Sequence, residues 1–586
     1  MIRSNHKDFH AIIQDGDTKK WLEFRNPIEI LVARKIDEVL LLLEQIEIKT
    51  QQNGLYAAGF ISYEAASAFD RALTVHPSGT LPLLSFGLYE NAENIELEND
   101  VMDDKYHVGD WTPSLSQENY RDNIARIKQY IAAGETYQVN FTFRLNTKFS
   151  GDPFTYFCRL IQGQKVQYGA YLNLDSHSLC SISPELFFQL DGNKIFSRPM
   201  KGTASRGLLL EDDNLQKTLL QNSEKNQAEN RMVVDMMRND IGKIAIPGSI
   251  SIPSMFKVEC YPTVWQMVST VEGTTPASIV DIFTALFPCA SITGPPKPRT
   301  MEIINELESK PRQIYTGTIG YIAPNRKVQF NVAIRTIMID KLRSTAEYGV
   351  GGGIVWDSTT ESEYEECKAK ALVLTTPQIK FSIFESILWE PENGYYLLTK
   401  HLERMEESAK YFRYVFNIGK IRDTLNEYAD SLSKQSYKVR LLLDNSGKHE
   451  IEKTPVKHLS ISGRPKVKLA REPINPSNAF LYHKTTNRKI YNNINLDSYK
   501  TDDVLFWNQK GEVTESTISN FVARFGEKYF TPPVKCGLLP GVFRSSLLKE
   551  GKIEEKTLTI DSLQNADEYF LISSVRKWRK INLYLK

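Results

Sequence analysis

A proline that follows a long helical pattern divides this chain of 586 residues into two unequal parts. Apolar residues recur at helical spacing over residues 364–374, and the sequence Thr375-Thr376-Pro377-Gln378 stands directly beyond them. Proline removes a backbone donor and restricts the residue before it, so helices commonly end ahead of one. A strand-like run over residues 380–389 then begins a new pattern. The sequence therefore predicts two domains that meet near residues 375–378.

The two predicted domains cover residues 1–375 and 378–586, with residues 1–110 as an N-terminal subregion of the first. Helical patterns alternate with short β-branched or aromatic runs bounded by Gly and Pro, which is typical of an α+β fold. The clearest patterns are helical over residues 28–47, 118–133 and 277–286 and strand-like over residues 54–63, 81–89 and 380–389.

The charge balance and the cysteines limit the classes of partner and compartment. Seventy-two basic and 71 acidic residues leave a formal net charge of +1, which gives no electrostatic reason to expect nucleic acid or a membrane surface as a partner. No run approaches the ~18 apolar residues of a membrane span, and no signal-type stretch follows Met1. The charge balance therefore favours a small metabolite as the ligand. Because the cysteines are scattered, we expect neither disulfides nor a zinc site, and a reducing cytoplasm fits this pattern. These cysteines are Cys158, Cys180, Cys260, Cys289, Cys367 and Cys536.

Carboxylates recur on helical faces of the first domain. Glu229 shares an apolar stripe with Val233, and burying a charge is costly unless it is paired or binds a metal. Glu363, Glu366 and Lys370 share a second helical face by their spacing of three and four. Two such helices could offer oxygen ligands to Mg²⁺. Taken alone, these runs are more typical of a solvated charged helix.

Three further features of the first domain have both a chemical and an ordinary interpretation. The run Gly349-Val350-Gly351-Gly352-Gly353 follows a strand-like segment and could present backbone N–H groups to a carboxylate, but a flexible turn explains it equally simply. Arg335 ends a strand-like run and could grip a carboxylate through two parallel hydrogen bonds or form an ordinary ion pair. Lys201, before Gly202-Thr203, is by itself typical of a structural lysine.

Together, residues 115–375 resemble the chorismate-binding enzymes, the family of anthranilate synthase, isochorismate synthase and aminodeoxychorismate synthase. The number and order of the matching motifs argue against chance. The resemblance implies an anthranilate synthase-like β-sandwich with helices. The matching segments are Tyr137-Gln138-Val139-Asn140-Phe141-Thr142, Ser183-Pro184-Glu185-Leu186-Phe187, Met200-Lys201-Gly202-Thr203, residues 229–242, Ser291-Ile292-Thr293-Gly294-Pro295-Pro296-Lys297, residues 330–336 and residues 349–370.

The resemblance implies roles for several of these residues. Glu229 and Glu366, with Glu363 nearby, would hold Mg²⁺, and the ion would bind the ring carboxylate of chorismate. Glu185 would act as the general acid or base that assists departure of the ring hydroxyl, a task that suits a carboxyl with a raised pKa. The other implied substrate contacts, chiefly to the enolpyruvyl carboxylate, are Tyr315, Arg335, Gly351, Gly352, Lys370 and Thr293.

Lys201 distinguishes among the reactions of the family. Its motif resembles the Pro-x-Lys-Gly-Thr of aminodeoxychorismate synthases, whereas anthranilate synthases usually carry alanine at this position. A neutral amine could add to the ring as the hydroxyl leaves, and ammonia could then displace it and return nitrogen at the para position. The chain departs from the family at Gln266, where relatives often have His, so this position can hydrogen-bond but cannot carry a proton near neutral pH.

The second domain carries a different set of motifs. These are Phe384-Glu385-Ser386-Ile387, residues 401–409, residues 481–488, residues 512–521 and Leu538-Leu539-Pro540-Gly541-Val542-Phe543-Arg544. Residues 380–586 thereby resemble the class IV, or fold type IV, pyridoxal phosphate enzymes, which include branched-chain aminotransferase, D-amino acid aminotransferase and aminodeoxychorismate lyase. The resemblance implies that Lys484 forms the internal Schiff base and that Glu515 faces the pyridine nitrogen. The implied phosphate contacts are Arg404, the backbone N–H groups of Val542 and Phe543, and Ser574.

Aminotransferases and the lyase share those cofactor contacts, so the reaction depends on other features. The ending Ser573-Ser574-Val575-Arg576 looks more like the Asn-Ser-Leu-Arg of lyases than the Gly-Thr-Ala of aminotransferases. The partner domain also favours the lyase, because aminodeoxychorismate is the substrate of that enzyme. The combined resemblance implies a bifunctional enzyme that aminates chorismate and then releases pyruvate to give 4-aminobenzoate for folate synthesis.

Partners follow from the same resemblance. No segment resembles a glutaminase, so ammonia must come from solution or from a separate glutamine amidotransferase subunit. Class IV enzymes generally build their sites at a dimer interface, which predicts a homodimer through the C-terminal half. Two alternatives stay open: an anthranilate synthase joined to a class IV aminotransferase, and an inactive scaffold that binds a glutaminase.

Overall fold

The computed structural model describes residues 9–97, 105–162, 166–374, 380–456 and 463–585. Their contacts group the chain into two units, the first of residues 1–205 and 217–378 and the second of residues 206–216 and 379–586. The predicted junction at residues 375–378 lies outside the described residues. The predicted ranges assign residues 206–216 to the first domain, whereas their contacts join them to the second unit.

The described part of the first unit contains two antiparallel sheets of ten strands each. The strands are β1 (His10–Gln14), β2 (Trp21–Phe24), β3 (Glu29–Ala33), β4 (Tyr56–Ile61), β5 (Leu84–Tyr89), β6 (Glu93–Ile95), β7 (Tyr106–Val108), β8 (Thr112–Pro113), β9 (Val139–Gly151), β10 (Ala170–Asn173), β11 (His177–Ser181), β12 (Leu186–Asp191), β13 (Lys194–Arg198), β14 (Met200–Ser205), β15 (Ser251–Cys260), β16 (Val264–Thr274), β17 (Thr318–Ala323), β18 (Lys327–Val332), β19 (Thr336–Asp340) and β20 (Thr345–Ile354). One sheet has the order β6-β2-β1-β10-β11-β19-β20-β9-β7, with β8 also paired to β9. The other has the order β14-β16-β13-β12-β18-β17-β4-β5-β3, with β15 also paired to β16.

The two sheets stack face to face. A buried cluster between them combines Phe24 and Leu172 of the first sheet with Phe60 and Tyr321 of the second. The ring centroids of Phe24 and Tyr321 lie 6.1 Å apart. Apolar side chains from both inner faces thus form one core layer, as in other sandwiches. This arrangement confirms the predicted α+β class and its β-sandwich.

Helices cover both outer faces of the sandwich. They are α1 (Ile36–Gln52), α2 (Ala66–Phe69), α3 (Gln117–Ala132), α4 (Pro153–Gln162), α6 (Glu224–Gly242), α7 (Ile279–Leu286), α8 (Lys297–Leu307) and α9 (Thr360–Ala371), whereas α5 (Leu210–Gln221) begins in the second unit and ends in the first. Helices α1, α6 and α7 share a buried cluster with the second sheet, and α3, α4, α8 and α9 share another with the first sheet. The two clusters fix the helices that carry candidate carboxylates, α6 and α9, against opposite sheets.

The helix predicted over residues 28–47 begins too early. Residues Glu29–Ala33 form β3 and pair with β5, and the alternation of buried Leu31 and Ala33 with exposed Val32 suits a strand at the edge of the sheet. Helix α1 begins only at Ile36, where the Glu38 carboxylate accepts hydrogen bonds from the N–H groups of Arg34 and Lys35. The patterns over residues 118–133 and 277–286 overlap α3 and α7 as expected.

The second unit contains a small antiparallel sheet and a larger mixed one. Its strands are β21 (Ile383–Glu390), β22 (Gly394–Tyr395), β23 (Tyr437–Leu443), β24 (His449–Pro455), β25 (Lys466–Leu469), β26 (Asp503–Trp507), β27 (Val513–Ser516), β28 (Asn520–Phe525), β29 (Lys528–Thr531), β30 (Glu554–Glu555), β31 (Glu568–Ser573) and β32 (Lys577–Tyr584). Its helices are α10 (Leu398–Phe412), α11 (Ile418–Asp430), α12 (Lys489–Asn492), α13 (Leu496–Tyr499) and α14 (Val542–Lys549). The sheet orders are β22-β21-β23-β24 and β27-β26-β25-β32-β31-β28-β29-β30.

Residues 206–216 are an integral part of this second unit. Leu208 packs against a buried apolar cluster formed by residues beyond position 469. His483 Nε2 donates to the carbonyl of Leu208 at 3.1 Å, and the Tyr411 hydroxyl donates to the carbonyl of Gly207 at 2.8 Å. The segment therefore contacts the residue that directly precedes Lys484.

Two negative findings concern disulfides and membrane spans. All six cysteines are free and buried. Within the described ranges, no single helix is long and apolar enough to cross a membrane, and one bent pair, Ile279–Ile292 with Lys297–Leu307, meets the criteria of length and composition only when its two parts are joined.

Candidate active sites

Lys201 lies on β14 and approaches a glycine of β20. A Cβ atom built on Gly353 would lie 2.6 Å from Lys201 Nζ, so only glycine leaves room for the amine in this position. Burial lowers the pKa of the Lys201 amine; Glu229 opposes this effect and Lys370 reinforces it. A lowered pKa increases the fraction of neutral, nucleophilic amine at neutral pH.

The glycine run forms part of a strand and not the turn that sequence patterns allow. Residues 349–353 lie within β20, and Gly351 pairs with Thr142 of β9. A Cβ atom on Gly349 would lie 2.1 Å from Cγ of Tyr315, and one on Gly352 would lie 3.1 Å from Oε2 of Glu363. The glycines therefore let the Tyr315 ring, Lys201 and helix α9 lie directly against the strand.

Helix α9 presents Glu363, Glu366 and Lys370 on one face, as their spacing predicts. Lys370 Nζ pairs with Glu366 at 2.7 Å and donates to the carbonyl of Gly351 at 2.8 Å. The Ser358 hydroxyl donates to Glu363 at 2.7 Å. Burial raises the pKa of Glu363, and the nearby charge of Glu366 raises it further against the hydrogen bond from Ser358.

The predicted magnesium ligands fit the ion in their chemistry but are not assembled into a metal site. No group of three acidic, histidine or cysteine side chains within the described part of the chain is arranged to hold a metal ion. Glu363 and Glu366 repel each other, and both Glu229 and Glu366 act electrostatically on Lys201. A divalent cation would relieve this repulsion, and carboxylate oxygens are the ligands that Mg²⁺ prefers.

Glu185 is a buried carboxyl beside Lys201. Its side chain is 4% exposed, and its Oε1 has no hydrogen-bond partner among the described residues. Burial raises its pKa to about 7, against the opposing effects of Ser291 and Lys201. A carboxyl with such a pKa can both donate and accept a proton near neutral pH.

Three other predicted substrate contacts lie in different environments. Arg335 stands between β18 and β19, not at a strand end, and has a left-handed backbone with φ of 49°. Within the described ranges, no carboxylate pairs with its guanidinium, which leaves its donors for a ligand. Tyr315 is buried under the guanidinium of Arg144, whereas the Thr293 hydroxyl donates at 3.4 Å to the carbonyl of Cys289 in its own loop. The roles assigned to these residues stay predictions.

Arg312 supports this site, and the sequence patterns did not indicate it. Its side chain is 2% exposed and makes two hydrogen bonds, of 2.6 and 3.0 Å, to the Glu308 carboxylate. It also donates to the carbonyls of Ile292 and Asn140, at 3.0 and 2.6 Å. One buried guanidinium thus ties together the loop before Thr293 and the strand that pairs with the glycines.

Lys484 lies in the second unit, with its amine 4.7 Å from the centre of the Phe384 ring. Burial lowers the pKa of Lys484 to about 7, and the positive charges of Arg404 and Arg488 add to this effect. The neutral fraction of this amine at pH 7 is therefore much larger than that of ordinary lysines, which are almost all protonated.

This pKa predicts how fast the cofactor-free protein takes up pyridoxal phosphate. Only a neutral amine condenses with an aldehyde, so we expect the rate to rise with pH up to about 7 and then to level off. The measurement is the growth of the Schiff-base absorbance near ~420 nm at a series of pH values. A rate that keeps rising towards pH ~10, as for an ordinary solvent-exposed lysine, would contradict the lowered pKa.

Glu515 is buried and held by three donors. It accepts hydrogen bonds from the Tyr491 hydroxyl at 2.7 Å, from Asn520 Nδ2 at 3.1 Å and from the Leu539 N–H at 3.2 Å. Burial raises its pKa to about 7, against the opposing effect of Tyr491. These three contacts fix the orientation of the Glu515 carboxylate.

Three of the predicted phosphate contacts, Arg404, Val542 and Phe543, lie at the start of α14. Val542 and Phe543 are the first helical residues, and their N–H groups have no partner within the helix. A Cβ atom on Gly541 would lie 1.9 Å from Asn520 Oδ1, so any other residue here would displace the amide that donates to Glu515. Arg404 donates to the carbonyl of Pro540 at 3.1 Å, directly before this helix. Ser574 is buried just beyond β31.

Glu385 and His401 also belong to this site, and the sequence patterns predict no role for either. Glu385 accepts hydrogen bonds of 2.8 and 2.7 Å from Arg404 and one of 2.7 Å from Nδ1 of His401. Although burial acts to raise it, Arg404 and His401 hold the pKa of Glu385 at about 2. His401 Nε2 is buried without a partner in the described structure. Because burial lowers the pKa of His401 and its Nδ1 donates to Glu385, Nε2 is an acceptor that can receive a hydrogen bond from a ligand. The sequence signal that could indicate this pair is the spacing of His401 and Arg404, which places both on one face of α10.

Models of two protein families match the chain. The model described as chorismate binding enzyme matches residues 9–376, and the model described as amino-transferase class IV matches residues 382–584. Each match coincides with one of the two candidate sites.

Named relatives match the first part of the chain. "Aminodeoxychorismate synthase component 1" of Escherichia coli K12 is 38% identical over 308 residues, which cover 52% of this chain and 67% of the relative. The protein of the same name from Klebsiella aerogenes is 41% identical over 263 residues, which cover 44% and 57%. The chain therefore spans between 57% and 67% of these relatives' length.

A solved structure shares the fold of the first unit. Anthranilate synthase component I from Streptococcus pneumoniae superposes with a TM-score of 0.53 and 23% identity, covering 64% of this chain and 94% of that one. At this identity the likeness establishes the fold alone.

Proposed function

Because the chain belongs to the chorismate-binding enzyme family and continues into a class IV aminotransferase domain, we propose that it is a bifunctional enzyme of 4-aminobenzoate formation. Its first unit aminates chorismate to 4-amino-4-deoxychorismate. Its second unit eliminates pyruvate from that product and yields 4-aminobenzoate, which feeds folate synthesis. The observation that carries the proposal is the pair of lysines with lowered pKa, Lys201 and Lys484, each in a site of its own.

At the first site, each candidate residue has a distinct task. Arg335, Lys370 and the N–H groups of Gly351 and Gly352 bind the enolpyruvyl carboxylate, with Tyr315 and Thr293 shaping the pocket. The amine of Lys201 forms a bond to the ring as the ring C–O bond breaks, and the proton from Glu185 lets the hydroxyl leave as water. Mg²⁺ bound by Glu229, Glu363 and Glu366 would supply positive charge to the ring carboxylate.

At the second site, the chain's residues bind the cofactor and move protons. Pyridoxal phosphate, when bound, supplies an electron sink. Arg404, the first N–H groups of α14 and the Ser574 hydroxyl hold its phosphate, and Glu515 keeps a proton at its pyridine nitrogen. The Lys484 amine, with its pKa of about 7, moves a proton at the substrate carbon and completes the loss of pyruvate.

Partners and location belong to the same proposal. The "component 1" name of the relatives supports a separate glutamine amidotransferase as the source of ammonia. The second unit forms a homodimer, as the resemblance to class IV enzymes implies. Six free cysteines are in accord with a reducing cytoplasm.

Product analysis tests this function. We expect chorismate, ammonium, Mg²⁺ and pyridoxal phosphate to yield 4-aminobenzoate and pyruvate in equal amounts. Without pyridoxal phosphate, 4-amino-4-deoxychorismate should accumulate. Release of 2-aminobenzoate would instead identify an anthranilate synthase. If the protein formed no aromatic product and no adduct with pyridoxal phosphate, the inactive scaffold would be favoured.

A further inference from the structure

His483, the residue directly before Lys484, is enclosed by groups from distant parts of the chain. Its side chain is buried, and its ring stacks on Tyr411 with the ring centroids 4.3 Å apart. The ring of Phe412 meets it edge-on, with the centroids 4.8 Å apart. Its Nε2 lies 3.1 Å from the carbonyl oxygen of Leu208, which precedes it by 275 positions. His483 therefore joins the lysine-bearing loop to residues 206–216.

The hydrogen bonds of His483 fix its tautomer. A carbonyl oxygen can only accept, so Nε2 carries the proton and donates to Leu208. Nδ1 is then the acceptor, and the Ser408 hydroxyl donates to it at 3.0 Å. Burial lowers the pKa of His483 to about 4. The ring is therefore neutral near pH 7, and both contacts persist there.

The Leu208 carbonyl is itself held in place by a closed set of contacts. Arg206 Nε donates to the Asp213 carboxylate at 2.6 Å, and its guanidinium lies 4.5 Å from the centre of the Tyr411 ring. The Tyr411 hydroxyl donates to the carbonyl of Gly207, whose own N–H donates to Asp213 at 3.0 Å. A Cβ atom on Gly207 would lie 2.2 Å from the Asp213 nitrogen, so this turn accepts only glycine.

Apolar packing joins the same segment to the opposite side of the site. Leu208 packs on a buried cluster that includes Tyr482 and Tyr491. Tyr482 is two residues before Lys484, and the Tyr491 hydroxyl donates to Glu515 at 2.7 Å. The segment thus supports both the lysine and the carboxylate that the second site contributes.

We infer that residues 206–216 position the Lys484 amine, with His483 as the positioning residue that the Leu208 carbonyl holds. The inference rests on the Schiff-base role proposed for Lys484 and extends that site to a segment from the other half of the sequence. On the β21 side, the Phe384 N–H donates to the Lys484 carbonyl at 2.9 Å. The backbone of Lys484 is therefore held by β21 and, through His483, by this segment. A displacement of about 1 Å at a reacting group can lower its rate about 100-fold.

The pH dependence of the Lys484 amine reports its position. Burial is the largest cause of its lowered pKa, so an amine that moves towards water should regain the pKa of an ordinary lysine. The neutral form that condenses with an aldehyde would then require a higher pH. The test variants leave every charged or titratable group that acts on this amine in the chain. These groups are Arg404, Arg488, Glu385, Glu515 and His401.

Replacement of His483 by leucine removes the donor to Leu208 and keeps an apolar side chain in its place. We expect the pH at which pyridoxal phosphate uptake by the cofactor-free protein levels off to rise by about one unit or more. The kcat of pyruvate release should fall about tenfold or more, while the KM for 4-amino-4-deoxychorismate changes less than about threefold. Absorbance near ~420 nm follows uptake at a series of pH values, and quantified pyruvate gives the rate.

Two matched variants show whether the hydrogen bond is responsible. His483→Gln keeps an N–H donor at a similar distance from the backbone, so it should restore both the pH dependence and kcat to within about twofold of the wild type. His449→Leu removes a histidine of β24 whose Nε2 contacts the Thr424 hydroxyl and not this site. It should behave as the wild type.

Replacement of Gly207 by alanine tests the segment without a change in any residue beside Lys484. Because its Cβ would meet the Asp213 nitrogen, we expect Gly207→Ala to displace the Leu208 carbonyl and to shift the pH dependence in the same direction as His483→Leu. The control is Gly419→Ala on α11, where a Cβ would meet only Asn417 Oδ1 at 3.5 Å, an ordinary contact. It should leave the pH dependence unchanged.

The outcomes separate this inference from the proposed function. A wild type that releases no pyruvate from 4-amino-4-deoxychorismate would overturn the proposed function, while uptake of the cofactor would still test the positioning role. An unchanged pH dependence in either His483→Leu or Gly207→Ala would overturn the positioning role. So would a shift in His483→Gln as large as that in His483→Leu.

Discussion

Replacement of Lys201 by alanine should lower the rate of 4-amino product formation by about 1000-fold or more. The amine is the group that bonds to the ring, and its lowered pKa provides the neutral form that this step needs. Chorismate should still bind with Mg²⁺, because Arg335 and Lys370 remain in place. The measurements are the rate of amination by coupled product analysis and the affinity for chorismate by calorimetry.

The Lys201→Arg variant distinguishes a role of Lys201 as nucleophile from a role as a positive charge. Lys201→Arg keeps a cation beside Gly353 but offers no neutral amine, since guanidinium stays protonated in proteins. We expect it to be about as inactive as the alanine variant, with chorismate affinity retained. Product formation at the wild-type rate in either variant would exclude Lys201 as the nucleophile.

Replacement of Lys484 by alanine should abolish the Schiff-base absorbance near ~420 nm and all release of pyruvate. The first site does not depend on this amine, so the variant should convert chorismate and ammonium to 4-amino-4-deoxychorismate and accumulate it. Absorbance spectra and quantified pyruvate measure the two losses.

A nearby lysine provides the control for this second variant. Lys489 lies five residues further along the chain, on α12, and is exposed. Lys489→Ala should keep both the absorbance band and pyruvate release. If Lys484→Ala retained the band, another lysine would have to hold the cofactor, and the second site would need a different assignment.

The resemblance to two families identified both lysines as candidates, whereas many of the helices were predictable because helical periodicity depends on local spacing. The face shared by Glu363, Glu366 and Lys370 follows from helical geometry alone, and the structure shows the ion pair between the last two. Strand β3 differs from the predicted helix because its run of four apolar residues is too short to distinguish a strand from a helix by periodicity. Pairing with β5, which is remote in sequence, decides its conformation.

The features that the sequence did not indicate depend on contacts between distant segments. Arg312 reaches Asn140, and Glu385 reaches His401 on the next helix, so no local pattern reveals either contact. The glycine run is equally typical of a turn when only the sequence is considered. The reason for glycine at these positions is that side chains from elsewhere pack directly on β20. Lys201 and Tyr315 occupy that space from other parts of the chain.

Residues 206–216 set a limit on how the two activities could be divided between separate polypeptides. A cut near residue 377 would leave this segment on the upstream fragment, although its contacts belong to the downstream unit. The downstream fragment would lose Leu208 from its core and the carbonyl that His483 contacts, one residue from Lys484. Fragments cut at the family boundaries would therefore separate residues 206–216 from the unit that they contact. A second enzyme that acts alone would need this segment, or a replacement for it, attached to the downstream fragment.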